Sequence, residues 1–427
     1  AAGPMGAEWA PVVNNAAFNY LSTLFRTSSE PLVFFEKKEL TGIYNPWKTH
    51  LNHSLFTDTL QSAPNIVLII IESLSPEYMG CYEAPVSSTP FLDSLSQHSL
   101  VFEQMYSNGL RSIDGIPAIL AGLPSVTGGS YINSPYQSNR LTGVGTILAD
   151  KGYETAFFHG GNNGTFNFDQ FSVMAGFKSY YGRNEFGDDA QFDGNWGIWD
   201  GPFFQFTKAE IDKMTPPFGT VLYSISNHHP FALPEGTESK YDLEGPEYLR
   251  TVRYTDDMLR HFFAQAERSS WYRNTIFIIT NDHKGPTEGP NSYLTPGRYR
   301  SPLLVYHPAH PEGKRIATLA QHADILPTVA DIIGCQEPIM ALGQNLADTA
   351  SYRFVCHRWN DIYQIMDSQF ILEYRFDEGS ELFKYDPSGR KNKWPFEDPV
   401  QKQKMERLLL AYLQHFDTAL HENTLSR

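Results

Sequence analysis

Asn65-Ile66-Val67-Leu68-Ile69-Ile70-Ile71-Glu72-Ser73 is the stretch that decides the fold. Its apolar residues are mostly β-branched and run without a polar break, so they predict a strand buried on both faces, as in the middle of a parallel sheet. The run is far too short to span a membrane. The abrupt change to Glu72 marks a carboxyl end, where open α/β sheets gather their ligands. Further apolar runs at 154–158, 219–225, 275–280 and 302–306 alternate with amphipathic stretches at 89–98, 143–151, 248–267 and 323–333. This alternation predicts an α/β domain with a mostly parallel sheet sandwiched by helices. Polar residues follow three of these runs in the same way: His159, then Asn227, His228 and His229, then Asp282 and His283.

The flanks have a different texture. Residues 1–64 mix Asn, Pro, Gly and aromatics without sustained periodicity, apart from a helical candidate at 16–26, and read as a connector arm. The main domain is expected over 65–350. Residues 351–427 read as a small α+β subdomain, with short strands at 353–357, 369–375 and 381–385 and helical spacing at 400–415. A stretch rich in Gly, Asp and Trp at 183–202 is too irregular for one element and is expected to be a functional loop.

Composition excludes several classes. A net charge of −15 over 427 residues argues against nonspecific binding to nucleic acid or to a bare anionic bilayer. An anionic substrate would therefore need local positive charge, from a metal ion or a few basic side chains. Cys81, Cys335 and Cys356 are too few for a disulfide scaffold and lack CxxC spacing, leaving room for one bridge at most. No signal segment opens the chain, which starts at Ala1 and reads as a processed or excised soluble portion.

Glu72, Asp282 and His283 form a mixed carboxylate and imidazole set suited to a divalent cation, Mn²⁺, Zn²⁺ or Mg²⁺. Inside a strand Asp282 and His283 would point to opposite faces, but past its end both can turn toward one ion. Ser112 stands in Ser107-Asn108-Gly109-Leu110-Arg111-Ser112-Ile113-Asp114-Gly115-Ile116-Pro117, a glycine-containing loop running into an apolar helical stretch. A hydroxyl there lies beside free N–H groups at the positive end of a helix, where a phosphoryl group binds. It is either a nucleophile and fourth ligand or a plain N-cap. Arg111 reads equally as a phosphate contact or a solvated surface residue. Asn162, Asn163, Asp193, Trp196 and Asp200 are weaker candidates for a substrate pocket, with Trp196 and Trp199 also suited to the core. His322 reads as a cap for the helix beginning near Asp324.

The succession Asn65 to Ser73, Thr89-Pro90-Phe91-Leu92-Asp93, Arg111-Ser112, Phe158-His159-Gly160, Asn281-Asp282-His283 and Asp324-Ile325-Leu326-Pro327-Thr328 resembles the lipoteichoic acid synthase and phosphoglycerol transferase group of the alkaline phosphatase and sulfatase superfamily. Leu382-Phe383-Lys384-Tyr385-Asp386-Pro387 is similar to a strand and turn near the end of many sulfatase-like domains. The resemblance implies one metal ion, Mn²⁺ first, held by Glu72, Ser112, Asp282 and His283, with Ser112 as nucleophile where the synthases use Thr. It implies substrate binding by His159 and by His228 or His229. Those synthases grip glycerol phosphate with Trp and Arg where Phe166 and Phe168 stand here, which argues for a different head group. No Cys-x-Pro-x-Arg is present at the nucleophile, so the formylglycine chemistry of true sulfatases is not expected. The implied reaction moves a phosphoryl-linked head group, phosphoglycerol-like, from a phospholipid to a glycan or lipid hydroxyl. Rival readings are a phosphodiesterase or phosphonate hydrolase using water, and an idle lipid-binding regulatory domain. The resemblance further implies N-terminal membrane helices outside this chain and a place on the extracytoplasmic face of a bacterial membrane, the periplasm of a Gram-negative cell.

Overall fold

In the computed structural model, the described residues are 30–49, 55–56, 63–127, 129–287, 295–386, 390–391 and 394–426. The helical candidate at 16–26 lies outside them. A nine-stranded mixed sheet forms the centre. Its strands are β1 (Asn65–Ile71), β2 (Ser99–Tyr106), β3 (Glu154–His159), β4 (Ser179–Tyr181), β5 (Phe218–Tyr223), β6 (Thr275–Asn281), β7 (Arg300–Ser301), β8 (Leu303–Tyr306) and β9 (Lys314–Gln321). The spatial order is β9-β2-β8-β6-β1-β5-β3-β4, with β7 paired to β2. β1 lies parallel to both β5 and β6 at the middle. Only β7 and β8 run antiparallel to their neighbours.

The seven residues of β1 are all buried. Ile66, Leu68 and Ile70 join one core with α2 (Ser112–Ala121), α3 (Val144–Asp150) and α6 (Ile325–Ile332). Val67, Ile69 and Ile71 join the other, with α1 (Pro90–Ser96), α4 (Asp200–Ile211) and α5 (Glu247–Ala266). At about 1.5–3 kcal/mol for each large aliphatic side chain, this burial anchors β1 by on the order of 10 kcal/mol. The end that carries Glu72 is thus a rigid base. Period-2 alternation also places Glu72 on the face of Ile70, beneath α2.

Sequence periodicity finds β1, β3, β5 and β6 and most flanking helices within a residue or two. It misses β2, β4 and β9, and also α4, which begins inside the stretch taken as a loop. β2 mixes polar residues into its alternation, with Leu100, Glu103 and Gln104 half-buried among buried neighbours, so no continuous apolar run announces it. β8 was legible as a strand, but its antiparallel setting was not.

C-terminal to the sheet, five antiparallel strands in sequential order run from Val355–Trp359 to Arg390–Lys391, covered by α7 (Pro399–Glu422). The strand Ile362–Met366 in this meander was not anticipated. Leu40, Tyr44, Phe354, Cys356, Met405 and Leu409 share the core cluster of β1. In the described part of the arm, Phe34 and Phe35 donate backbone N–H groups to Gln414 of α7 at 2.8 and 2.9 Å. Trp47–Lys48 pairs with Ile339–Met340. Cys81, Cys335 and Cys356 are all free and buried, so the bridge left open by the sequence does not form.

Candidate active site

Glu72, Ser112, Asp282 and His283 converge at the carboxyl ends of β1 and β6. Ser112 is the first residue of α2, with Arg111 at the N-cap in extended conformation. Its Oγ lies 3.4 Å from Glu72 Oε2 and 3.4 Å from His283 Nε2. His283 Nε2 is in turn 3.4 Å from Asp282 Oδ2 and 3.8 Å from Glu72 Oε1. Helix α2 approaches closely because residue 115 is glycine: a Cβ there would lie 1.9 Å from the Asp282 carbonyl oxygen.

Side chains around this set fix its members. Ser73, held at φ 54°, donates its N–H to Asp282 Oδ1 at 2.8 Å and its hydroxyl to Glu72 Oε1 at 2.7 Å. Asn227 donates to the Glu72 carbonyl at 3.0 Å, and Ser224 accepts the Glu72 N–H at 2.9 Å. Asn281 donates to the carbonyls of Leu74 and His283, both at 2.7 Å, stiffening the turn after β6. His283 Nδ1 lies 2.9 Å from the Lys284 carbonyl, which can only accept, so Nδ1 carries the proton and Nε2 faces the site.

Burial and then the Asp282 carboxylate push Glu72 up to about 8. Asp282 and His283 are set oppositely. Burial favours the neutral acid, yet His283 and the Ser73 N–H hold Asp282 below the usual carboxylate range. Burial also opposes a charged imidazole, but Asp282 and Glu72 hold His283 above its usual value. Two crowded carboxylates, a hydroxyl and an imidazole nitrogen form a donor set suited to a cation. The ligand atoms of Glu72, Asp282 and His283 lie within 4.8 Å of one another. These residues therefore fit a divalent ion.

His159 ends β3, fully buried, and its ring stacks on Tyr223 with centroids 4.6 Å apart. Burial lowers it to about 3, so it is a neutral hydrogen-bonding group and not a cation. Of the later pair, His228 is half-buried, which lowers its basicity, and it stands near enough to Asp282 and His283 to feel their charges. The ring of His229 packs against Phe231 instead, and its carbonyl accepts the Trp196 indole N–H at 2.7 Å.

Trp196 is half-buried over His228, with ring centroids 3.8 Å apart. Asp193 builds its loop by accepting the N–H groups of Asn195, Trp196 and Gly197 at 2.7–3.0 Å. A bridge between Gly161 and Gly197 ties this loop to the end of β3, and one between Phe192 and Ile198 closes the loop on itself.

Other candidates are engaged elsewhere. Asn162 accepts from Arg183 at 2.8 Å, and Asn163 donates to Glu185 at 3.0 Å, so both amides hold the 183–189 segment. Arg111 is largely exposed and paired with Asp114 at 3.0 Å. Asp200 is buried, accepting the Ile225 N–H at 2.8 Å and the Thr255 hydroxyl at 2.7 Å. Trp199 packs edge-on against Tyr254. His322 is not the expected cap: Gln321 and Asp324 cap that turn, while His322 Nε2 lies 3.3 Å from Asn281 Oδ1. Phe168 is buried against His159 and Tyr223, so of the two phenylalanines only Phe166, 41% exposed, reaches solvent.

Tyr223 escaped sequence reading. Its hydroxyl lies 2.7 Å from Glu72 Oε2 and 2.8 Å from Asp282 Oδ2. A tyrosine inside an apolar run looks like core, and only the strand register shows otherwise.

A family model described as Sulfatase matches residues 64–335. Lipoteichoic acid synthase 2 of Bacillus subtilis is 23% identical over 298 residues, covering 63% of this chain and 45% of that protein. Phosphoglycerol transferase I of Shigella flexneri is 24% identical over 290 residues, covering 63% and 37%. The chain thus spans less than half the length of these relatives. A solved alkaline phosphatase superfamily protein from Vibrio parahaemolyticus superposes with a TM-score of 0.78 at 23% identity, over 96% of this chain and 97% of that one. The lipoteichoic acid synthase LtaP of Listeria monocytogenes gives 0.73 at 19% identity, over 90% and 98%. With the family match covering more than half of its length and the superfamily's fold around the site, the chain belongs to the sulfatase family.

Proposed function

We propose that this domain transfers a phosphoryl-linked head group from a phospholipid to an acceptor hydroxyl through a phosphoserine at Ser112. The observation that carries this reading is the Ser112 hydroxyl at the start of α2, 3.4 Å from both Glu72 and His283. Glu72, Ser112, Asp282 and His283 would hold one divalent ion, Mn²⁺ first, with Zn²⁺ or Mg²⁺ as alternatives. When bound, it supplies positive charge to the phosphoryl oxygens and favours the ionised serine hydroxyl.

The chain's own groups do the rest. Ser112 Oγ forms a bond to phosphorus while the donor's alcohol leaves with a proton, and the acceptor hydroxyl then attacks phosphorus and returns Ser112 to its hydroxyl form. The α2 N-terminus orients the phosphoryl group through its free N–H groups. His159, kept neutral by burial, offers a hydrogen bond without a charge. His228 has Nδ1 3.2 Å from the His229 carbonyl, which leaves Nε2 to take the acceptor's proton.

The names of the relatives, lipoteichoic acid synthase and phosphoglycerol transferase, support transfer of a phosphoglycerol-like group. A glycan or lipid acceptor and a tether of N-terminal membrane helices outside this chain, at the extracytoplasmic face or periplasm, belong to the same reading. No described helix is long and apolar enough to cross a membrane. So does the division into an arm to residue 64, a catalytic unit to 350 and a C-terminal subdomain.

Ser112→Ala is the direct test. The folded, Mn²⁺-loaded variant should lose phosphodiester turnover by several orders of magnitude, and a phosphorylated peptide containing Ser112 should appear only in the parent by mass spectrometry. Turnover near the parent rate would remove Ser112 as nucleophile and leave water attack in its place.

A further inference from the structure

The structure assigns to Tyr223 a role as a positioning residue that ties the two carboxylates of the metal set to each other and to His159. This rests on the divalent-ion reading above. Tyr223 is the last residue of β5, the strand between β1 and β3. The register sets it opposite Ile70 on one side and His159 on the other. It therefore shares a sheet face with Ile70, and so with Glu72 two residues on.

Its ring has no freedom to leave. One face stacks on His159 at 4.6 Å and 15°, and Phe168 meets it edge-on at 5.9 Å, with the whole side chain 1% exposed. The hydroxyl this ring delivers sits between carboxylates from two different strands, at 2.7 and 2.8 Å. Phenol has a single hydrogen, so at any moment it donates to one of them and lies within reach of the other. Carboxyl groups this close repel as they ionise, and a donor fixed between them limits how far they splay when no ion is present. Ligands held in place lose less freedom on binding an ion, and partners of this kind typically change metal affinity by about 10–100-fold. A role in packing alone would need only the ring, which phenylalanine would supply equally well.

The test is Tyr223→Phe, which removes one oxygen and keeps the ring, its stack on His159 and its volume. Mn²⁺ affinity is measured by calorimetry on chelator-treated parent and variant, with Ser73→Ala as a comparison that removes a donor to Glu72 alone. We expect the dissociation constant to rise about 10-fold or more in Tyr223→Phe. The rise in Ser73→Ala should be smaller, and turnover of Tyr223→Phe should recover as Mn²⁺ is raised. Should the variant be too unstable for calorimetry, the Mn²⁺-induced rise in melting temperature reports the same quantity and should shrink. Parent-like Mn²⁺ binding by Tyr223→Phe overturns the assignment while leaving the metal site intact. A parent protein that binds no divalent ion overturns both.

Discussion

A single methyl group at residue 115 would lie 1.9 Å from the Asp282 carbonyl oxygen, so the approach of α2 to the end of β6 depends on that glycine. Overpacking of this kind costs typically about 1–3 kcal/mol, and the neighbour here is backbone that cannot swing aside. Gly115→Ala should therefore lower stability by about that amount in denaturant unfolding and move Ser112 away from Glu72 and His283. Because a displacement of about 1 Å in a reacting group can cost on the order of 100-fold, turnover should fall far more than stability does. A variant with parent-like turnover would show that the helix position is not critical. At the same scale the sequence was partly legible. Glu72, Asp282 and His283 stood out because each follows an apolar run, whereas Tyr223 lies within one and so looked like more of the same.

Helix α1 shows how an element can depend on a distant one. It begins with Pro90 and has no side-chain cap of its own. Asp256 in α5 instead accepts the N–H groups of Phe91 and Leu92 at 2.8 and 3.0 Å. This carboxylate caps the helix from across the core and locks the two helices together. Burial outweighs these hydrogen bonds and pushes Asp256 up to about 7 from its ordinary 3.8. The folded protein thus keeps its proton over a range where the unfolded chain has already lost it. The stability linked to this proton is fully present below about pH 4 and is lost as pH rises through about 7. Asp256→Asn removes the titration, so its denaturant midpoint, measured against the parent from pH 4 to 8, should fall less with pH. Parallel curves would contradict the shift. Sequence placed both helices from their periodicity, but an N-cap supplied by another element leaves no local signature.

Across the whole molecule, the aromatic cluster over His228 combines parts from separate connections. Phe166 comes from the loop after β3, and its backbone is held at φ 49°. Its ring lies 6.3 Å from that of Trp196, which covers His228. An aromatic wall of this kind favours apolar or cationic contact with the head group over charged contact with a glycerol phosphate. Phosphatidylethanolamine or a small chromogenic phosphodiester should therefore turn over at least as fast as phosphatidylglycerol. Clear preference for phosphatidylglycerol would refute the inference drawn from Phe166. By itself, the sequence determined the strands that carry the candidate site, β1, β3, β5 and β6, and which polar residues stand at their ends, because apolar runs and their period report local burial. It also pointed to Ser112 at a helix start, since glycine, hydroxyl and apolar spacing are local signals. Only the tertiary structure decided that His228 is half-buried while His229 is exposed, that Phe168 is core while Phe166 is not, and that Tyr223 bridges Glu72 and Asp282. Those outcomes follow from the pairing of β5 with β1 and β3 and from loops that close on one another, and no pattern within a single segment encodes such a register.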